Sequence, residues 1–82
     1  MDSKIVQVSY FAIFREQRGV AQESCSTESA TLAEFYEELK ARHGFSMAQK
    51  SLRVAKNAEF CSWDADFAAG DEIAFIPPVA GG

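Results

Sequence analysis

One strongly marked amphipathic helix limits the folds that are available to this chain. Thr31 and Glu34 have the spacing of a capping box, in which the two side chains satisfy unpaired backbone N–H groups at a helix start. The apolar residues that then recur at helical spacing on one face are Leu32, Phe35, Tyr36 and Leu39. Basic residues fill the last turn, and Gly44 suits a left-handed cap. A single helix of this kind needs an apolar surface to cover.

The segments before this helix are typical of strands and a short turn of helix. Apolar and polar residues alternate over residues 5–11, which predicts a strand with one buried face. Residues 12–19 are helix formers that stop at Gly19, so we expect one helical turn capped by that glycine. A second strand at residues 21–26 has low apolar content, which favours a position at the sheet edge.

The segments after the helix predict three more strands. Residues 52–56 alternate, and residues 59–61 would return beside them through a turn at Asn57, because Asn tolerates positive φ. Residues 72–76 carry large apolar side chains, which indicates a central strand. That strand should end where Pro77 removes a backbone donor.

The order of elements, ββαβββ, predicts an α+β fold. We expect the ubiquitin-like β-grasp arrangement, with a mixed sheet of about five strands packed on one main helix. Nearly half of the 82 residues are apolar, which is enough for one core. The predicted organisation is one β-grasp domain over residues 1–76 and a flexible C-terminal tail over residues 77–82.

Charge and composition exclude several classes of function. The formal net charge is −4 and the basic residues are scattered, which argues against nucleic acid and anionic membranes as partners. The longest near-apolar stretch, residues 10–14, is too short to cross a bilayer, and residues 1–9 lack a signal-peptide core. We therefore expect a cytoplasmic protein in which Cys25 and Cys61 are free, structural thiols.

No cluster of residues in the sequence indicates a catalytic or metal site. His43, the only histidine, lies at a helix end and is expected to be a dipole partner or a solvated residue. The acidic residues near the C-terminus are Asp64, Asp66, Asp71 and Glu72. They suit turns and a solvated face. Two cysteines make no zinc site, and no glycine-rich phosphate loop is present, so we predict no metal, no bound cofactor and no catalytic residue.

The C-terminal segment is the one candidate for a reactive group. It consists of Pro77, Pro78, Val79, Ala80, Gly81 and Gly82. The two prolines favour an extended exit from the last strand, and the terminal glycines have no side chains. We expect such a tail to reach about 20 Å and to fit a narrow channel of another protein. The alternative is that Gly82 marks a frayed chain end.

This ending closely resembles that of the small subunit of molybdopterin synthase. The resemblance rests on residues 75–82, preceded by residues 70–74, whose sequence is Gly-Asp-Glu-Ile-Ala. Tyr10-Phe11-Ala12, leading to Arg15-Glu16 and Gly19, is similar to the family's first strand and turn. Asn57 falls where the third strand of relatives ends. The resemblance covers essentially the whole chain, and its specific signal lies in the tail.

The resemblance implies a sulfur carrier in molybdenum cofactor biosynthesis that is not an enzyme by itself. A ubiquitin-activating-type adenylyltransferase would use ATP to form a transient glycyl adenylate at Gly82. A sulfur donor system would then convert it into a thiocarboxylate, 1-thioglycine. The large subunit, the partner in a heterotetramer, would use its own lysines to transfer this sulfur to the cyclic pyranopterin precursor and build the molybdopterin dithiolene.

A body interface should support the tail in that partner. We predict that Phe11, Phe60 and Ile76 contact the partner, with Arg15 at the rim, because a weakly binding tail needs a second contact to raise its local concentration. The alternative is that Phe11 and Phe60 are ordinary core residues, since alternation does not say which face is covered. Relatives often carry an aromatic residue at the position of Ile76.

Three other functions remain open at this point. The first is a sulfur carrier for thiamine thiazole synthesis or tRNA thiolation, which would share the fold and the terminal glycines. The second is a ubiquitin-like modifier that forms isopeptide bonds with protein lysines. The third is an interaction module whose terminus does nothing. Each predicts a different fate for Gly82.

Overall fold

The computed structural model describes residues 3–78, which form one mixed sheet and two α-helices. The strands are β1 (Lys4–Tyr10), β2 (Gln22–Thr27), β3 (Arg53–Lys56), β4 (Glu59–Cys61) and β5 (Glu72–Ile76). The helices are α1 (Ile13–Arg18) and α2 (Leu32–His43). A short 3-10 helix, Gln49–Ser51, precedes β3 and was not predicted from the sequence. Neither α-helix in this range is long and apolar enough to cross a membrane.

The strands lie in the order β2-β1-β5-β3-β4. Strands β1 and β5 are parallel neighbours, with Tyr10 opposite Phe75, and the other pairs are antiparallel. The predictions that β2 is an edge strand and β5 a central strand are confirmed. This is the β-grasp arrangement that the order of elements predicted.

Helix α2 packs across one face of the sheet, and the core lies between them. Its predicted apolar stripe is fully buried. The ring centroid of Phe75, on the central strand, lies 5.1 Å from that of Tyr36 and 6.1 Å from that of Phe35. The side chains that β1 and β5 contribute to this core are Val6, Val8, Tyr10, Ile73 and Phe75. We call the opposite face, which α2 does not cover, the outer face.

The predicted signals at the helix ends are present. Both hydrogen bonds of the capping box form between Thr31 and Glu34, and Gly44 closes α2 with φ 73°. Gly19 closes α1 with φ 83°, and its N–H donates to the carbonyl of Arg15. Helix α1 extends over 6 residues, so it is longer than the single turn predicted and makes a second helix beside the main one.

Strands β3 and β4 form a hairpin whose turn has positive φ at Asn57 (53°) and Ala58 (71°). The Asn57 side chain donates to Asp71 Oδ1 at 3.0 Å and accepts from the Glu72 N–H at 2.9 Å. These bonds join the hairpin turn to the start of the central strand. The turn predicted at Asn57 is therefore confirmed, and its amide also fixes β5.

Candidate functional site

Small side chains form the middle of the outer face. Cross-strand pairing aligns Ser9 with Ala74, Ala74 with Ala55, and Ala55 with Phe60. Because neighbours that pair across strands point to the same face, these four side chains form a row across the sheet. The first three are too small to fill the space above the backbone, so the centre of this face is a depression.

Large apolar side chains stand at the sides of this depression. Phe11 is 48% exposed and Phe60 is 57% exposed. Together they bound a groove of about 230 Å³. The lining residues are Phe11, Ala55, Ala58, Phe60, Ala74 and Ile76. We call this set the apolar groove. A contiguous apolar patch exposed to water is typical of a protein interface.

The apolar groove lies where the chain leaves the sheet. Strand β5 ends at Ile76, and Pro77 and Pro78 follow it. A second hollow of about 300 Å³ adjoins the groove, because Phe60 and Ile76 line both. Its other lining residues are Ser51, Arg53, Pro77 and Pro78. The remaining residues of the predicted tail, Val79, Ala80, Gly81 and Gly82, lie outside the described residues.

The structure brings together the four residues that were predicted to contact a partner. Phe11, Phe60 and Ile76 line the apolar groove. Arg15 lines a hollow of about 270 Å³ that shares Phe11 with the groove, so it lies at the rim. The alternative that Phe11 and Phe60 are core residues is wrong, because about half of each side chain is exposed. Their contact with a partner stays a prediction.

Arg53 belongs to the same surface and was missed from the sequence. It pairs with Ile76 across the sheet, and its guanidinium carbon lies 3.9 Å from the centroid of the Phe60 ring. Alternation already put Arg53 on the same face as Ala55. The stack on Phe60 depends on the register of the β3–β4 hairpin, which the sequence leaves open.

A polar cluster on the helix side of the sheet ties α1 to β2. Arg18 donates two hydrogen bonds to the carboxylate of Glu23, both at 2.8 Å, and the Tyr10 hydroxyl donates a third at 2.6 Å. Burial alone would raise the pKa of Glu23, but these hydrogen bonds outweigh it and lower the pKa. The carboxylate is therefore held in its charged form by its partners.

His43 lies at the edge of this cluster. Of its two predicted roles, that of a solvated residue is wrong. Its Nε2 atom is buried 3.7 Å from Glu23 Oε2, and its ring packs 5.5 Å from that of Phe45. Burial and the neighbouring Arg18 lower its pKa. It lies in the last turn of α2, but the lowered pKa favours the neutral imidazole, so its other predicted role, that of a cationic dipole partner, stays a prediction.

The remaining candidate side chains have structural roles. Asp71 accepts from the backbone N–H of Ala68 at 2.8 Å, and this bond, with the one from Asn57, lowers its pKa. Cys25 and Cys61 are free, and burial raises the pKa of the Cys25 thiol. Among residues 3–78, no group of three or more His, Cys, Asp or Glu side chains gathers around a possible metal position.

The sheet order, the single covering helix and the apolar groove beside the chain exit define a ubiquitin-like β-grasp protein. A sequence profile of the ThiS family matches residues 8–82. The chain belongs to the ThiS family.

Individual relatives support the resemblance found in the sequence. The chain is 30% identical over 81 residues to the molybdopterin synthase sulfur carrier subunit of Escherichia coli (strain K12), which covers 95% of this chain and 100% of that protein. It is 31% identical to the putative molybdopterin converting factor, subunit 1, from Pyrococcus furiosus, with a TM-score of 0.75 over 93% of this chain and 99% of that one. The predicted likeness to the molybdopterin synthase small subunit is confirmed.

A third relative carries a different name. SAMP1 from Haloferax volcanii is 26% identical to this chain, with a TM-score of 0.77 over 95% of this chain and 99% of that one. The same β-grasp fold thus occurs in relatives with different names.

Proposed function

We propose that this chain is a sulfur carrier whose reactive group is the C-terminal carboxylate of Gly82. The observation that carries the proposal is the position of the apolar groove where β5 ends. A partner that covers Phe60 and Ile76 would lie at the point where the tail begins. The similarity to a sulfur carrier subunit along 95% of the chain supplies the chemistry.

The proposed chemistry needs activation of the carboxylate, because a carboxylate is a poor acceptor for nucleophiles. A ubiquitin-activating-type adenylyltransferase would transfer AMP from ATP to the Gly82 carboxylate and release pyrophosphate. Sulfide-level sulfur from a donor system would then attack the carbonyl carbon of the adenylate, so that a C–S bond forms, the C–O bond to AMP breaks, and AMP and a thiocarboxylate result. The ATP belongs to the activating enzyme, and the carrier binds no cofactor and supplies no catalytic residue of its own.

We propose the molybdopterin synthase large subunit as the protein that receives the sulfur. Its lysines would act on the cyclic pyranopterin precursor while the tail supplies the thiocarboxylate, in a heterotetramer of two large and two small subunits. The name of the Escherichia coli relative, molybdopterin synthase sulfur carrier subunit, supports this choice of partner. Two carriers are needed for each dithiolene, because each carries one sulfur atom.

The body and the tail would contribute differently to binding. Ordering each tail residue costs about 1–2 kcal/mol, and glycine costs more than most residues, so the tail alone binds weakly. Docking of the apolar groove makes entry of the tail an intramolecular step, which raises its effective concentration at the active site to about the millimolar range. The groove would therefore select the partner, and the tail would deliver the sulfur.

Mass spectrometry of the intact protein tests the proposal. After incubation with the activating enzyme, ATP and a sulfur donor, we expect the mass change of one oxygen atom replaced by sulfur, located at Gly82. The matched control is the protein that lacks Gly82, which should fold equally well and gain no sulfur. An unchanged wild-type mass, or sulfur in the truncated protein, would show that the proposal is wrong.

The similarity to SAMP1, which is named as a small archaeal modifier protein, favours one further candidate, a ubiquitin-like protein modifier. The two functions separate when the thiocarboxylated protein is offered the pyranopterin precursor with the large subunit. Formation of the dithiolene product supports the molybdenum pathway. Isopeptide products at lysines support the modifier, and sulfur transfer to a thiazole or tRNA acceptor alone supports another carrier pathway.

A further inference from the structure

The arginines of this chain fall into two groups. Arg18 is paired with Glu23, and Arg42 is paired with Glu38 on α2. Within residues 3–78, neither Arg15 nor Arg53 forms an ion pair with a carboxylate. Both of these arginines lie beside the apolar groove.

Arg53 is held in a defined orientation. Its guanidinium carbon stands 3.9 Å from the centroid of the Phe60 ring, a cation–π distance. The guanidinium group thus lies over the ring, and its N–H donors form no side-chain hydrogen bond with residues 3–78. Stacking leaves these donors available and reduces the rotamer freedom that is lost when they bind.

The surroundings of Arg53 strengthen any bond that it makes to a docked protein. Ile76 lies opposite it on β5, and Phe60, Pro77 and Pro78 line the same hollow. A partner that covers these apolar groups removes water from one side of the guanidinium. Hydrogen bonds to a charged group are stronger where water is excluded.

We propose that Arg53 is a specificity-determining residue, which pairs with a carboxylate of the protein that covers the apolar groove and receives the tail. The inference rests on the proposed function. A planar guanidinium matches a carboxylate through two parallel hydrogen bonds. The partner surface is therefore an apolar ridge with an acidic group beside the tail entrance. Arg15, at the other end of the groove, fits a second acidic group and fixes the direction of docking.

Titration of the molybdopterin synthase large subunit from the same organism with Arg53 variants tests this inference. Arg53→Gln removes the charge, and Arg53→Lys keeps the charge but loses the planar donors. We expect Arg53→Gln to raise Kd by about 10-fold or more, as is usual for a charge-assisted hydrogen bond, and to reduce the salt dependence of Kd. Arg53→Lys should recover only part of the affinity, because a lysine cannot form the two parallel bonds.

Arg42→Gln is the matched control. It changes the net charge by the same amount, on the helix that covers the opposite face of the sheet. We expect its Kd to stay within about twofold of the wild type, since screened surface charges far from an interface contribute little. Urea unfolding of each variant checks that the fold is retained.

The outcomes separate this inference from the proposed function. If the wild type never gains sulfur at Gly82, the proposed function fails. If the wild type gains sulfur and binds the large subunit, but Arg53→Gln behaves like Arg42→Gln, the role of Arg53 is overturned and the carrier function stands. If an Arg53 variant changes self-association of the free protein but not its Kd for the large subunit, the groove binds a second copy of this chain, and the inference is also overturned.

Discussion

Replacement of Phe60 with alanine should weaken binding of the partner more than it destabilises the fold. Phe60 is 57% exposed, and with a total side-chain area of about 200 Å² it offers about 110 Å² for burial by a partner. At about 25 cal/mol per Å², and allowing for the Cβ that alanine keeps, Phe60→Ala should cost about 2–2.5 kcal/mol of binding free energy. That loss raises Kd by about 30- to 60-fold.

The effect on folding should be smaller, because the part of Phe60 that is already covered touches the sheet edge and not the core. We expect a loss of about 1–2 kcal/mol in the free energy of unfolding, below the 3–5 kcal/mol that is typical of a buried aromatic residue. Loss of the cation–π contact with Arg53 accounts for about 0.5–1 kcal/mol of this.

Calorimetric titration with the large subunit and urea unfolding measure the two effects separately. Ile5→Ala is the matched control: Ile5 is 60% exposed, but it lies opposite Ser26 of the edge strand, away from the groove. Its Kd should stay close to that of the wild type. The reasoning fails if both variants weaken binding equally, or if Phe60→Ala unfolds the protein as a core truncation would.

Three further predictions concern stability. Glu23→Ala removes the acceptor of the buried Tyr10 hydroxyl and should lower the free energy of unfolding by about 1–3 kcal/mol at pH 7 in urea unfolding. Because its partners lower the pKa of Glu23 against the effect of burial, its charge stabilises the fold above its ordinary pKa, and that contribution is lost as the pH falls through the lowered value. The stability difference between the wild type and Glu23→Gln should therefore shrink in acid, and a constant difference would contradict this account. Ala58→Gly relieves a φ of 71° that suits glycine and should raise the free energy of unfolding by about 0.5–1 kcal/mol, whereas a loss would show that Ala58 is unstrained.

Local signals in the sequence were sufficient for the main elements. The capping box at Thr31 and the glycine at Gly44 mark both ends of α2, because each acts within a few residues of chain. The apolar content of residues 72–76 distinguished the central strand β5 from the edge strand β2. In each case the physical cause lies inside the segment that it determines.

Surface features that depend on pairing between distant segments were not determined by the sequence. Alternation divides each strand into two faces but does not say which face the helix covers, so the exposure of Phe11 and Phe60 stayed open. The stack of Arg53 on Phe60 requires the two-residue turn to set the register between β3 and β4. The burial of His43 likewise follows from packing on Phe45, which lies beyond the helix end.

The central position of β5 has a consequence for synthesis of the protein. Strands β1 and β3 are each hydrogen-bonded to β5, which is the last strand along the described chain. The ribosome must therefore release Glu72–Ile76 before the two halves of the sheet can join. A nascent chain that stalls before this strand would lack a complete sheet and a complete groove. It would be open to proteolysis and would not bind the partner. Any chain that has formed the groove therefore already contains the strand that leads into the tail.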